Sequence, residues 1–257
     1  MEAKYRKSGR MGKGIYLLPN LLTTASIFAG FYAIVASMKG HFELAAVAVF
    51  VAMIMDGLDG RVARLTNTQS AFGAEFDSLS DMVSFGIAPA LIAYNWALHD
   101  MGNFGWLAAF VYTICAALRL ARFNTQVESA DKRYFQGLAS PSAAANIAGL
   151  VWISNAYALE PTTMAIPTII FTILSGILMV SNFRYYSFKV ISWKDKVPFI
   201  GLLLVVVVIV TIAYDPPVVL FTVFLAYAIS GPVHTLWLLR EVKTVRKSAP
   251  SRQNTDE

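Results

Sequence analysis

Eight apolar stretches follow one another along this chain, approximately Leu17 to Met38, Phe42 to Arg64, Ser70 to Leu98, Phe104 to Thr125, Pro141 to Leu159, Met164 to Val180, Val197 to Ala213 and Val218 to Arg240. Each is near the roughly 20 residues that cross about 30 Å of hydrocarbon as a helix. Lipid offers the backbone no hydrogen-bond partner, so a segment of this kind must satisfy its own peptide groups. The expected fold class is therefore all-α, a polytopic membrane helix bundle of about eight transmembrane helices. Composition agrees, because 14% charged residues falls well short of the roughly 25% of a soluble domain.

The charges orient the bundle. Of the 21 Lys and Arg, all but Lys39 fall at the termini, on the connections near 65, 130 and 190, or at helix ends facing them. By the positive-inside rule these faces are cytoplasmic, and the thin connections carrying Glu43, Asp100, Glu160 and Asp215 face outward. Both termini are then cytoplasmic, which suits a bacterial inner (cytoplasmic) membrane. Residues 1–16 form a basic arm (Lys4, Arg6, Lys7, Arg10, Lys13) that is either interfacial or simply solvated. Residues 17–240 form one membrane domain, and 241–257 a polar cytoplasmic tail expected to be disordered. The run from Ile15 to Met38 is too long for a signal core and is expected to stay as the first span. Tyr94, Trp96, Trp106 and Tyr157 read as anchors at the outer rim, Trp193 and Trp237 at the inner one. The lone Cys115 allows no intrachain disulfide. His41, His99 and His234 sit at separate span ends and carry no assigned chemistry. No nucleic-acid partner is expected.

Four carboxylates interrupt this apolar pattern. Asp56, Asp59, Ala63 and Arg64 step by three, four and one, which puts the first three along one helical face with Arg64 at its edge. Asp77 and Asp81 lie at i and i+4 on the next helix, after a connection of only a few residues. The two helices form a hairpin with its acids near the cytoplasmic end. Each charge near a helix centre costs roughly 2.5 to 3.5 kcal/mol, so the acids need cations. With no His or Cys nearby, the donor set suits a hard divalent ion, Mg²⁺ or Mn²⁺. Two ions sharing carboxylates can hold and polarise a diphosphate. Gly60, Ala63 and Gly73 either leave room for such a ligand or pack helices closely. Arg64 reaches a phosphate or balances the acids.

The pattern Asp56-x-x-Asp59-Gly60-x-x-Ala63-Arg64, then Gly73-x-x-x-Asp77-x-x-x-Asp81, resembles the full signature of the CDP-alcohol phosphotransferase family. That resemblance implies transfer of a phosphatidyl group from a CDP-linked lipid to a small alcohol with release of CMP. It implies that Asp56, Asp59 and Asp77 ligate two metal ions, that Asp81 touches the metal site and is the general base, and that Gly60, Ala63, Arg64 and Gly73 shape the CDP pocket. A homodimer is likewise implied. Asn20 after Pro19, Ser80 to Pro89, Arg119-Leu-Ala-Arg122-Phe-Asn124 and Gly137-Leu-Ala-Ser140-Pro141-Ser142 resemble the phosphatidylserine synthase branch, with CDP-diacylglycerol as donor and L-serine as acceptor. The match runs from about residue 15 to 150, so the last three spans carry no assigned chemistry. Ala139 departs from the branch, which often has Pro there. Arg119 and Arg122 either meet the carboxylate of serine or flank the membrane. Asn124 follows them, while Ser140 and Ser142 either donate to substrate or cap the fifth helix.

Buried acids also occur in cation channels and proton-coupled transporters, which have no use for Gly, Ala and Arg at fixed offsets. A membrane prenyltransferase would carry its acid clusters on helices far apart in sequence. Phosphatidylglycerophosphate and phosphatidylinositol synthases are the nearest alternatives.

Overall fold

The computed structural model describes residues 17–126, 134–186 and 199–248. The basic arm, Trp193 and residues 249–257 lie outside them, and residues 241–248, the first part of the tail expected to be disordered, are helical. The described residues are helical apart from one small ribbon. The helices are α1 (Leu17–Met38), α2 (Phe42–Leu65), α3 (Ala71–Asp81), α4 (Ala88–Ala93), α5 (Asn103–Gln126), α6 (Ser140–Ala156), α7 (Pro161–Val180), α8 (Phe199–Tyr214) and α9 (Pro216–Ser248). Two wide π-helical segments, Met82–Ile87 and Tyr94–Leu98, fuse α3 and α4 into one continuous rod that ends in a 3-10 turn. Helix α2 and the rod pack on α6, which in turn meets α7 and α9, and α1 packs on α2 and the rod. Five of these segments are long and apolar enough to cross a membrane, the rod and α1, α5, α7 and α9. Acids and arginines load α2, and α6 and α8 are shorter.

The burial pattern is inside-out, as lipid demands. On α7 the large exposed apolar residues are Ile166, Ile170, Leu174 and Ile177, while Ala165, Thr168, Thr172, Ser175 and Gly176 face the bundle. On α1, Leu21, Phe28 and Phe31 are exposed, whereas Thr23, Ser26, Gly30 and Ala33 are buried. Small residues inside let backbones approach, and hydroxyls then join them. Ser26 Oγ donates to the Ala52 carbonyl of α2 (3.1 Å), and Ser84 Oγ to the Ser26 carbonyl (3.0 Å). A Cβ on Gly30 would sit 2.7 Å from Ser84 Cα, so α1 and the rod touch along their backbones there.

Two joints recur. Pro89 has no N–H to continue the ladder just after the π segment, where the Ala88 N–H reaches back five residues to the Val83 carbonyl, and within that segment the Tyr112 hydroxyl of α5 donates to the Phe85 carbonyl (2.9 Å). In α9, Pro232 likewise has no N–H for the Ala228 carbonyl one turn back, and the Tyr185 hydroxyl donates to it at 2.9 Å. Gly231 makes room, since a Cβ there would collide with the Tyr185 ring.

The structure adds features that an all-α reading of spans did not contain. Tyr134–Gln136 (β1) and Arg184–Tyr186 (β2) pair antiparallel, with Phe135 opposite Tyr185. Trp96, expected at the outer rim, is 6% exposed and lies inside the bundle, because the second π segment turns it inward. At the same end Tyr157 donates to Asp215 Oδ2 (3.0 Å), and that carboxylate pushes the phenol above its ordinary pKa.

Candidate metal centre

The α2–α3 connection runs only from Thr66 to Ser70, and its geometry is fixed at both ends. The Thr66 N–H closes α2 on the Val62 carbonyl, and Ser70 Oγ caps α3 by accepting from the Gly73 N–H at 3.0 Å. This brings the two acid pairs together. Asp56, Asp59 and Asp77 each offer a carboxylate oxygen, and the three oxygens lie within 4.8 Å of one another. Asp56 also lies close to Asp77 and Asp81. Asp59 is 5% exposed and is oriented by Thr23, whose hydroxyl reaches its Oδ2 at 2.6 Å.

Asp77 Oδ1 and Asp81 Oδ1 are buried with no hydrogen-bond partner. Orphaned carboxylate oxygens inside a protein carry a desolvation cost that nothing on the protein repays. Four acids around a pocket with oxygen donors alone fit hard divalent cations of the Mg²⁺ or Mn²⁺ kind.

The small residues of the pattern differ in what they face. A Cβ on Gly57 would meet nothing within 4 Å, and one on Gly60 only the Arg64 guanidinium at 3.5 Å. No helix packs on Gly60, so packing does not require a glycine there. Arg64 is exposed and, among the described residues, has no hydrogen-bond or ion-pair partner. Ala63 is half-buried on the same helix. Gly73 does have a local reason: a Cβ would press on Ser70 Oγ at 3.2 Å, with Asn20 Oδ1 at 3.8 Å.

The two arginines of α5 part company. Arg119 lies near enough to Asp81 for their charges to interact, donates from Nη1 to Ser140 Oγ at 2.6 Å, and keeps a buried Nε without a partner. Arg122 donates from both terminal nitrogens to main-chain carbonyls, reaching Val180 at 3.0 Å, Gln136 at 3.0 Å and Met179 at 3.1 Å. It thereby ties the end of α7 to β1, where cationic side chains suit the exposed carbonyls. Asn124 Nδ2 donates to Ser78 Oγ at 3.0 Å, linking α5 to α3. Ser140 does not cap α6, because Ala139 holds the cap position. Ser142 is buried one turn further in, and its carbonyl accepts from Asn146 at 3.0 Å. Ala139 adopts φ −63° and ψ 137°, the backbone proline itself prefers, so the departure from Pro leaves the loop unchanged. Gly137 before it has φ +77°, and a Cβ there would collide with the Met179 carbonyl oxygen.

Three neighbours of the site carried no sequence signal. Thr23 orients Asp59 from α1, and Tyr112 and Tyr227 place phenols near Arg119. Tyr227 belongs to α9, so one of the helices without assigned chemistry reaches the pocket. Pro89 was the one hint, since a proline inside a span marks a break in the backbone ladder.

Residues 16–213 match the family model described as CDP-alcohol phosphatidyltransferase. A Helicobacter pylori protein named CDP-diacylglycerol--serine O-phosphatidyltransferase is 40% identical over 230 residues, covering 89% of this chain and 94% of the relative. A Bacillus subtilis protein of the same name is 33% identical over 174 residues, 67% of this chain and 91% of its own length. Among solved structures, Mycobacterium tuberculosis phosphatidylinositol phosphate synthase with CDP-DAG bound superposes with a TM-score of 0.50 at 20% identity, covering 66% of this chain and 83% of that one. That likeness is one of fold.

Proposed function

The chain belongs to the CDP-alcohol phosphatidyltransferase family, and from that premise we propose that it transfers the phosphatidyl group of CDP-diacylglycerol to the hydroxyl of L-serine, giving phosphatidylserine and CMP. The observation that carries this reading is the cluster of Asp56, Asp59, Asp77 and Asp81 with two orphaned buried oxygens, set opposite the underused guanidinium of Arg119. The named relatives support serine as acceptor. The protein is an integral membrane enzyme; eight spans, a homodimer, and a cytoplasmic pocket in an inner membrane complete the proposal.

Asp56, Asp59 and Asp77 would hold two Mg²⁺ or Mn²⁺ ions, with Asp81 at their edge. When bound, such ions polarise the diphosphate and offset the charge that develops on it. Gly60 leaves the α2 face open for the cytidine diphosphate, Ala63 and Gly73 keep the walls low, and Arg64 reaches a phosphate oxygen. The carboxylate of serine pairs with Arg119, whose fork suits it, while Ser140 holds that guanidinium in place and Ser142 lines the turn behind. Asp81 takes the proton of the serine hydroxyl. The hydroxyl oxygen bonds to the phosphorus bearing diacylglycerol, the bond to the CMP oxygen breaks, and CMP departs. Arg122 and Asn124 act at one remove, fixing the ends of α7 and α3 around the acceptor pocket.

Purified enzyme, CDP-diacylglycerol and a panel of L-serine, inositol and glycerol 3-phosphate test the assignment through CMP release. Serine is the expected acceptor. A preference for inositol or glycerol 3-phosphate would move the chain to another branch with the reaction class intact.

A further inference from the structure

Asp81 is the last residue of α3, and the helix widens into the π segment immediately after it. Two polar links join this rod to α5, one on each side of Asp81. At the exposed end Asn124 holds Ser78. At the buried end Tyr112, fully enclosed, donates to the Phe85 carbonyl, four residues beyond Asp81. Tyr112 precedes Arg119 by seven residues, two helical turns on the same face of α5. The contact has little slack, since a Cβ on Gly86 would meet Met82 Sδ at 3.1 Å and Ala116 Cβ at 3.4 Å. On its other side the rod is fixed to α1 by Ser80 and Ser84.

We propose that Tyr112 is a positioning residue for the transfer: by bonding the Phe85 carbonyl within the π segment that follows Asp81, its hydroxyl sets the spacing between Asp81 and Arg119 at the acceptor site. On the donor side Asp56, Asp59 and Gly60 lie on α2, and Gly73 and Asp77 lie about two turns or more before Phe85, nearer the α2–α3 turn than this bond. The inference rests on the roles given above to Asp81 and Arg119, and its test is separable from them. The acceptor panel decides the acceptor, whereas Tyr112 is judged by the ratio of variant to wild type with whichever acceptor the wild type uses.

Tyr112→Phe removes the hydroxyl and little else. Full-length variant enzyme should lose about ten- to a hundredfold in kcat/KM for the acceptor, the scale of a small misplacement at a reacting centre, while its CDP-diacylglycerol affinity stays within about twofold of wild type. The melting temperature of the variant should stay close to that of wild type. Two results overturn the proposal: an unimpaired Tyr112→Phe, or a loss of donor and acceptor binding in parallel with a fall in melting temperature.

Discussion

The acid pocket and the ribbon corner use the same helix, α5, and treat their charges in opposite ways. At the corner, Arg122 is saturated by carbonyls of α7 and β1, Gly137 closes the turn, and the Tyr185 hydroxyl completes α9. In the pocket, one turn away, Arg119 keeps a free buried Nε, and Asp77 and Asp81 each keep an oxygen without a partner. A protein interior ordinarily satisfies such groups. Where they remain open around one residue of a helix and are filled one turn further along, the open place is the one that awaits ligands.

The strongest way to break the contrast is at Asp77. Asp77→Asn keeps the shape and removes a ligand charge, and turnover should fall on the order of a thousandfold or more, since a catalytic metal supplies several kcal/mol. The same variant sharpens the comparison through stability. With a chelator present, its melting temperature should equal or exceed that of wild type, because a charge crowded against Asp56 and Asp59, with one buried oxygen lacking a partner, has been removed. A clear drop in metal-free stability would show that Asp77 serves the fold instead. Next in size is Arg119→Lys, which retains charge but loses the fork. The serine KM should rise about ten- to a hundredfold, the scale of a charge-assisted hydrogen bond of roughly 1.5 to 3 kcal/mol, with CDP-diacylglycerol affinity nearly unchanged. An unmoved KM would leave Arg119 as a flanking charge. The smallest kinetic effect belongs to Arg122→Lys, which should lower stability by about 1 to 2 kcal/mol through lost carbonyl contacts and leave the serine KM within about twofold. A KM shift matching that of Arg119→Lys would make the two arginines one site.

The helices and the acid cluster were legible because both are written in local spacing. Span edges followed hydropathy to within a few residues at α1, α2 and α5, and the offsets of Asp56, Asp59, Asp77 and Asp81 fixed one face of each helix. The ribbon was not legible, since β1 and β2 are three residues each and meet across about fifty residues of sequence. Nor were the separate fates of Arg119 and Arg122. At i and i+3 they share a face, and only the arrival of the α7 end and Gln136 beside Arg122 tells them apart. Tyr112 and Thr23 were hidden for a related reason: a hydroxyl one helix away has no offset to read. Pro89 and Pro232 announced breaks in the backbone ladder without naming the hydroxyls that would bond beside them.

Helix α6 has a consequence for how the bundle comes into being. From Ser140 to Ser154 it is enclosed on nearly every side by α2, α4, α7 and α9, and it carries Ser140, Ser142, Asn146 and Ser154 among alanines. At 17 residues it is shorter than the roughly 20 that cross the hydrocarbon, and Ile147, Leu150, Val151, Trp152 and Ile153 crowd its second half, leaving the first half to alanine, serine and asparagine. During synthesis α6 leaves the ribosome before α7 and α9 exist, so for that interval much of its final surroundings is absent. The polar half of α6 is thus fully enclosed only once later helices are made, and the bundle closes around it when α9 arrives.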